Sequence, residues 1–346
     1  MNKLTKVGCS ALCGSLAAFS AANAGDLTVT GGATVTYMSH GTEVTGNPFG
    51  MASAVSFAGS GELDNGWTFG FAIDETDAVA FSAARVNITM GGLGTIEFDG
   101  GNSGNGIAAY DNVLPTAWEE AHGAGLSGGV KTVLGVGSSN NIQYTTPTIL
   151  GTTIAVTYAH DQGVSDTADK ATKTASGGVG SGYDATIKIN PSLGTEILSG
   201  LNLYVGGSVI EQYDNANALE DKYEGVGAIT YALGPVEVGA MWSGLYDGNE
   251  TAGAYHSYKN HGFGIAFNVN DDFSVSYGEY QSRKAGYESQ AAQGGPEQRV
   301  VEVTSWQAAY TMGGASFRVA DVKADNVLFT AADDQEATIV SMSLAF

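Results

Sequence analysis

The chain has only two cysteines in 346 residues, Cys9 and Cys13, and both sit at its start. Everything beyond them is free of thiols, which excludes disulfide staples, cysteine-ligated metals and thiol chemistry there. Proline is also scarce, six residues against 50 glycines. With 16 Tyr and 13 Phe, that balance favours many strands joined by turns over helices. Positive charge is the third shortage. Fourteen Lys and Arg stand against 36 Asp and Glu, a net charge of −22, which argues against nucleic acid as a partner. No apolar run of about 18 residues follows residue 24, so no helix long enough to cross a bilayer can be drawn there. The mean hydropathy of −0.01 has the value of a soluble chain. Strands that alternate apolar and polar residues also average to near zero, so this number excludes neither.

The first segment has its own logic. Lys3 and Lys6 give a positive start, an apolar stretch runs from Val7 to Ala22, and Ala22-Asn23-Ala24 is a small-x-small cleavage signal. That is the layout of a secretory signal peptide over residues 1–24, with the mature chain expected to begin at Gly25 as one domain, 25–346. A lipoprotein signal fits poorly, with Leu12 before Cys13 and Lys6 three residues before Cys9. Cleavage removes two positive charges and leaves the remainder more acidic still.

From residue 26 on, side chains alternate nearly everywhere between large apolar and small or polar types, with a gap at 101–138. Successive residues of a strand face opposite sides. The pattern divides into about sixteen segments of roughly 9–15 residues, each long enough to cross a bilayer as a tilted strand. Tight junctions such as Asp64-Asn65, Gly91-Gly92, Asn270-Asp271 and Gly313-Gly314 alternate with long polar stretches such as 40–50, 162–181 and 286–297. An antiparallel barrel with short turns at one end and long loops at the other sorts its connections in this way. A soluble sandwich or propeller has little reason to.

One strand face reads Trp67, Phe69, Phe71, Ile73 and, further on, Phe263, Ile265, Phe267, Val269. Its reverse reads Thr68, Gly70, Ala72, Asp74 and Gly262, Gly264, Ala266, Asn268. A small closed barrel fills its interior with bulky side chains, whereas sixteen strands leave room for water. Small polar interior residues therefore indicate an aqueous lumen. Aromatics near strand ends (Tyr37, Trp67, Tyr144, Tyr158, Tyr183, Tyr231, Trp242, Trp306, Tyr310) suit interfacial girdles. The chain ends on Val340, Met342, Leu344 and Phe346, alternating with Ser341, Ser343 and Ala345.

The signal peptide, Gly94-Thr95-Ile96-Glu97-Phe98-Asp99-Gly100, Asn141-Ile142-Gln143-Tyr144-Thr145-Thr146-Pro147 and the closing strand to Phe346 together resemble the Gram-negative general porins, in the style of short-looped α-proteobacterial members. The resemblance implies an all-β fold, a 16-stranded antiparallel transmembrane β-barrel with an inward-folded constriction loop. It also implies residence in the outer membrane, contact with its lipid, a homotrimer, and a terminal strand ending at Phe346 that the insertion machinery reads. The dense arginine cluster and the Pro-Glu-Phe-Gly-Gly loop motif of enterobacterial members are not present.

The stretch 101–138 lacks alternation and is too long for an idle loop in a compact fold. By the resemblance it is the constriction loop. It carries Asp111, Glu119, Glu120 and Lys131, and alternation turns Glu97 and Asp99 of the preceding strand inward. Arg85, Lys188 and Arg318, with Lys284 a weaker candidate, fall on small-polar faces and are expected on the wall opposite the acids. Acids facing bases across a narrow passage make a transverse field that disfavours apolar solutes. The acidic excess suggests a mild cation preference. For any one of these residues alone, a solvated charge is the plainer reading.

Other readings have weaker support. The five histidines, His40, His122, His160, His256 and His261, form no zinc motif, and there is no Gly-x-Ser-x-Gly elbow, so an enzyme is not expected. No cofactor is required. Ca²⁺ has hard oxygen ligands at hand in the acidic loops 161–169 and Asp333-Asp334, but at no EF-hand spacing. An adhesin would show fixed-period repeats, and none is present. A solute-specific channel, often of eighteen strands, is the nearest competitor.

Overall fold

The computed structural model describes residues 27–40, 46–76, 79–100, 104–160, 179–191, 198–212, 220–248, 255–286 and 299–346. The expected signal peptide and the acidic stretch 161–169 lie outside the described residues. Sixteen strands follow one another: β1 Leu27–His40, β2 Phe49–Glu62, β3 Thr68–Thr76, β4 Val79–Thr89, β5 Thr95–Gly100, β6 Asn140–Thr145, β7 Thr152–Ala159 and β8 Val179–Ile189. The second half comprises β9 Leu201–Gln212, β10 Lys222–Leu233, β11 Val236–Tyr246, β12 Tyr255–Asn268, β13 Phe273–Gly286, β14 Arg299–Met312, β15 Ala315–Asp325 and β16 Gln335–Ala345. Each pairs antiparallel with its sequence neighbours, and β16 returns to β1 to close the barrel. Among the described residues no helix is long and apolar enough to cross a membrane.

Alternation sorts the side chains as the pattern predicts. Phe69, Phe71, Phe263, Ile265, Phe267, Val340, Met342 and Leu344 all lie exposed on the outer wall. Their strand neighbours turn inward, and Ala266 and Ser341 are buried there. Closure is completed by Phe346, whose N–H donates to Gly31 O and whose carbonyl accepts from Gly31 N–H, both at 2.9 Å. The alternation of short and long connections has two exceptions. Only residues 77 and 78 separate β3 from β4 on the long-loop side, and residues 190–200 join β8 to β9 on the short side.

Two short sequence motifs gain a physical meaning here. Gly94 has φ +89°, and a Cβ there would sit 2.3 Å from Thr145 O, so the β4–β5 turn can nestle against β6 only with glycine. Tyr144 then ties the same turn down, its hydroxyl donating to Leu93 O at 2.8 Å.

Candidate functional site

The chain between β5 and β6 is folded inside the barrel. It opens with a short 3₁₀ turn, Gly106–Tyr110, and continues without regular structure to Ser139. Ile107, Tyr110, Leu114, Ala121, Ala124, Leu126 and Val133 of this loop form one buried cluster with inward residues of β10, β11 and β13–β16, including Met241, Tyr280, Val301, Val303 and Val322. A sixteen-stranded barrel would otherwise leave these wall residues in water, so their burial is what seats the loop.

Polar anchors fix its path. Asp184 on β8 accepts from Ile107 N–H at 3.0 Å and Val136 N–H at 3.1 Å, clasping both limbs of the loop at one carboxylate oxygen. Glu224 on β10 accepts from the adjacent Leu134 and Gly135 N–H of the returning limb, at 2.7 and 2.9 Å, through one oxygen, and its other oxygen pairs with Lys222. Gln307 on β14 accepts from Trp118 and Glu119 N–H and donates to Glu119 O at 2.7 Å. Asn260 donates to Lys131 O at 2.6 Å, and Ser276 accepts from Ala117 N–H at 2.9 Å. At the loop's base, Asn141 donates to Asp99 and to Ser139 O, and accepts from Asn105. Gly106 and Gly135, both at positive φ, lie so near Asp184 that a Cβ on either would collide with its carboxylate.

The loop thus covers the wall from β6 round to β16. The inward faces of β2–β5 stay partly exposed, with Asp74, Arg85, Asn87 and Glu97 on them. Register sets Arg85 beside Asp99 and Asn87 beside Glu97.

The expected site residues divide. Arg85 and Glu97 lie on the uncovered arc, and Glu119 and Lys131 are exposed on the loop. Asp99 is wholly buried as an acceptor for Asn141, so it supports the loop base rather than facing the passage. Glu120 is also buried, with Oε1 accepting from Leu114 N–H at 2.9 Å. Lys188 and Arg318 lie on the inward faces of β8 and β15, and Arg318 is near the loop acid Glu119. They stack over rings on the loop side, Lys188 5.4 Å from the Tyr204 centroid and Arg318 5.9 Å from that of Trp118. Lys284 stands 5.1 Å over Phe329. The loop anchors Asp184, Glu224, Gln307 and Asn260 were missed by the sequence reading. For Asp184 and Gln307 the one signal was a polar side chain on an inward face between small residues, Gly182 and Thr186 or Ser305 and Ala309.

Burial shapes the loop's charges. Desolvation, helped by nearby Asp111 and Glu119 and opposed by the Leu114 N–H, pushes the Glu120 carboxyl up to about 8. Asp111 rises to about 6, again by desolvation. Burial lowers His122 to about 4, so its ring, tilted against Tyr280 at 4.5 Å, is neutral at neutral pH. Partial desolvation raises Glu119 while Arg318 pulls it back. Among the described residues no group of three or more His, Cys, Asp or Glu could hold a metal ion.

A closed sixteen-stranded barrel with an apolar outer wall, a polar interior and an inward-folded loop defines a channel of the bacterial outer membrane. The family description "Gram-negative porin" matches residues 8–346, and the chain belongs to that family. No curated protein matches it. Its fold is similar to a porin structure refined at 1.8 Å, at 14% identity and TM-score 0.65, covering 92% of this chain and 100% of that one. It is equally similar to an anion-selective porin from Comamonas acidovorans, at 14% identity and TM-score 0.65, covering 92% and 99%. The outer membrane channel DcaP of Acinetobacter baumannii matches at 12% identity and TM-score 0.63, over 96% and 100%.

Proposed function

We propose that the barrel is a passive diffusion channel for small hydrophilic solutes and ions, with its selecting passage between the constriction loop and the β2–β5 arc. The observation that carries this reading is the one-sided seating of the loop, which fills the lumen against β6–β16 and leaves a polar arc uncovered. Sixteen strands rather than eighteen favour a general channel over a solute-specific one. Arg85, Glu97 and Glu119 act at the passage, with Lys131 and Asp111 at its edge, while Arg318 and Lys188 moderate the field from beneath the loop.

A mild cation preference follows from the chain's own charges, since Asp74, Glu97 and Glu119 outnumber Arg85 and Lys131 around the passage. The fold is neutral on the matter, because one protein that shares it is anion-selective. The protein works without a cofactor, matures at Gly25 and assembles as a homotrimer. Planar-bilayer recording of the refolded mature chain in a KCl gradient tests the reading. Steps in threes with a cation-biased reversal potential are expected. A folded protein that passes no current would sink the channel, and an anion-biased potential would sink the preference alone.

A further inference from the structure

From residue 25 to residue 130 the sequence holds a single Lys or Arg, Arg85. Register surrounds it with acids of its own wall. Arg85 pairs directly with Asp99 across β4–β5, and Glu97 lies diagonal to it on the same strand pair. Asp74, opposite Ala83, lies diagonal to it across β3–β4. Diagonal positions on one face stand about 7–8 Å apart, within reach of a long side chain. The loop side is arranged alike. Arg318 stacks over Trp118 and stands near enough to Glu119 to draw its carboxyl down. Lys131 adds a further cation on the loop, where Asp111 adds an acid. Each side of the lumen therefore holds both signs, and the charges meet their opposites along a wall rather than across the water between the walls.

Away from those charges the uncovered arc is built from methyls and hydroxyls. The inward face of β2 offers Ala54, Ser56 and Ala58, β3 offers Gly70, and Thr34 and Thr36 of β1 continue the series, all of them partly exposed. Val35, Tyr37 and Phe57, which alternate with them, are exposed on the outer wall. On the loop an apolar side chain, Leu134, is left 48% exposed. Opposite charges on facing walls align the water between them, and a solute flank without a dipole displaces that aligned water at a cost. A charge compensated on its own wall acts as one end of a dipole, whose field fades faster with distance than that of a lone charge. The alignment, and the penalty it carries, are therefore weak along this arc.

Resting on the reading of a diffusion passage along this arc, we propose that the channel admits uncharged and zwitterionic solutes with an apolar flank, such as aliphatic amino acids or short amides, as readily as fully polar solutes of the same size. The methyl groups of Ala54, Ala58 and the two threonines receive the flank. The hydroxyls of Ser56, Thr34 and Thr36 exchange hydrogen bonds with the polar end. Cation preference is a separate property, because ion bias follows the sum of the wall charges, whereas admission of an apolar flank follows their separation across the passage.

The test reconstitutes the refolded barrel in liposomes and compares swelling in leucine with swelling in glutamine, zwitterions of similar size. An Ala54→Arg, Ala58→Arg double variant places added cations on one wall and so builds the missing field. An Ala54→Gln, Ala58→Gln variant adds bulk without charge. The heat-dependent gel shift certifies folding, and bilayer conductance certifies an open lumen. The expected leucine-to-glutamine rate ratio is close to one in the native channel and in the Gln variant, and several-fold lower in the Arg variant. A native channel that conducts ions yet slows leucine several-fold against glutamine would overturn this inference and leave the diffusion channel standing. Equal ratios in the folded Arg and Gln variants would overturn charge separation as the cause. A folded protein with neither current nor swelling would overturn the channel itself, and this inference with it.

Discussion

At the scale of single residues, Glu120 and His122 show how an interior position changes what a charged residue means. Glu120 reads as a pore charge in the sequence, yet on the folded loop it is buried and His122 beside it half-buried, with Glu120 Oε2 3.9 Å from His122 Nδ1. The docked loop keeps Glu120 protonated up to about pH 8, whereas a solvated glutamate ionises from its ordinary value of 4.5. Its share of docking stability is therefore complete below pH 4.5 and is lost as pH rises towards 8. His122 works in the opposite direction, from its ordinary 6.5 down to about 4, and Asp111 has finished titrating by about 6. Between pH 6.5 and 8 only Glu120 changes among these three, so the loop should loosen across that window. Open-channel current noise is expected to rise from pH 6.5 to 8.5 in the native channel and to stay level in Glu120→Gln. A native channel with flat noise over that range would show that the carboxyl is not protonated in place.

At the scale of elements, the strands were legible and the loop's path was not. Alternation located all sixteen strands to within about three residues, because a barrel strand contrasts its two faces along its whole length. β13 shows the exception, since its outer face turns to Glu279 and Gln281 half-way up and breaks the apolar series. The stretch 101–138 was legible only as an interruption. Its route depends on single contacts to distant strands, and nothing local in Asp184 or Glu224 marks them as clasps for residues 48 to 90 positions away. The motif Asn141–Pro147 was recognisable as a pattern, but the role of Asn141 in tying Asp99, Asn105 and Ser139 together emerges only with the fold. Hydrogen bonds to a charged acceptor contribute roughly 1.5–3 kcal/mol each, so removing both clasps should free the loop while the barrel stays closed. The Asp184→Ala, Glu224→Ala double variant is expected to show larger conductance with frequent partial closures, and single variants an intermediate effect. Conductance and flicker identical to the native channel would mean that the apolar cluster alone seats the loop.

At the scale of the whole molecule, the barrel is a closed ring of sixteen pairings, and its final link joins the first strand to the last. Nine register pairs connect β1 to β16, from Gly32 with Ala345 to His40 with Ala337. Phe346 adds a reciprocal hydrogen-bond pair with Gly31, and its ring lies where a Cβ on Gly31 would be, 2.8 Å from the nearest ring atom. A glycine at 31 and an aromatic at the terminus are thus two halves of one joint. Losing the last residue removes two backbone hydrogen bonds of roughly 0.5–1.5 kcal/mol each, a modest part of a ring held by so many others. Deleting Phe346 should therefore lower the unfolding temperature of the refolded barrel by only a few degrees. If the terminal strand is also the address read during insertion, the same deletion should reduce the amount assembled in the outer membrane of living cells far more than it reduces refolding in detergent. Comparing heat-resistant barrel in the two settings separates the roles. A parallel loss in both would assign Phe346 to closure alone, and a loss confined to cells would assign it to recognition as well.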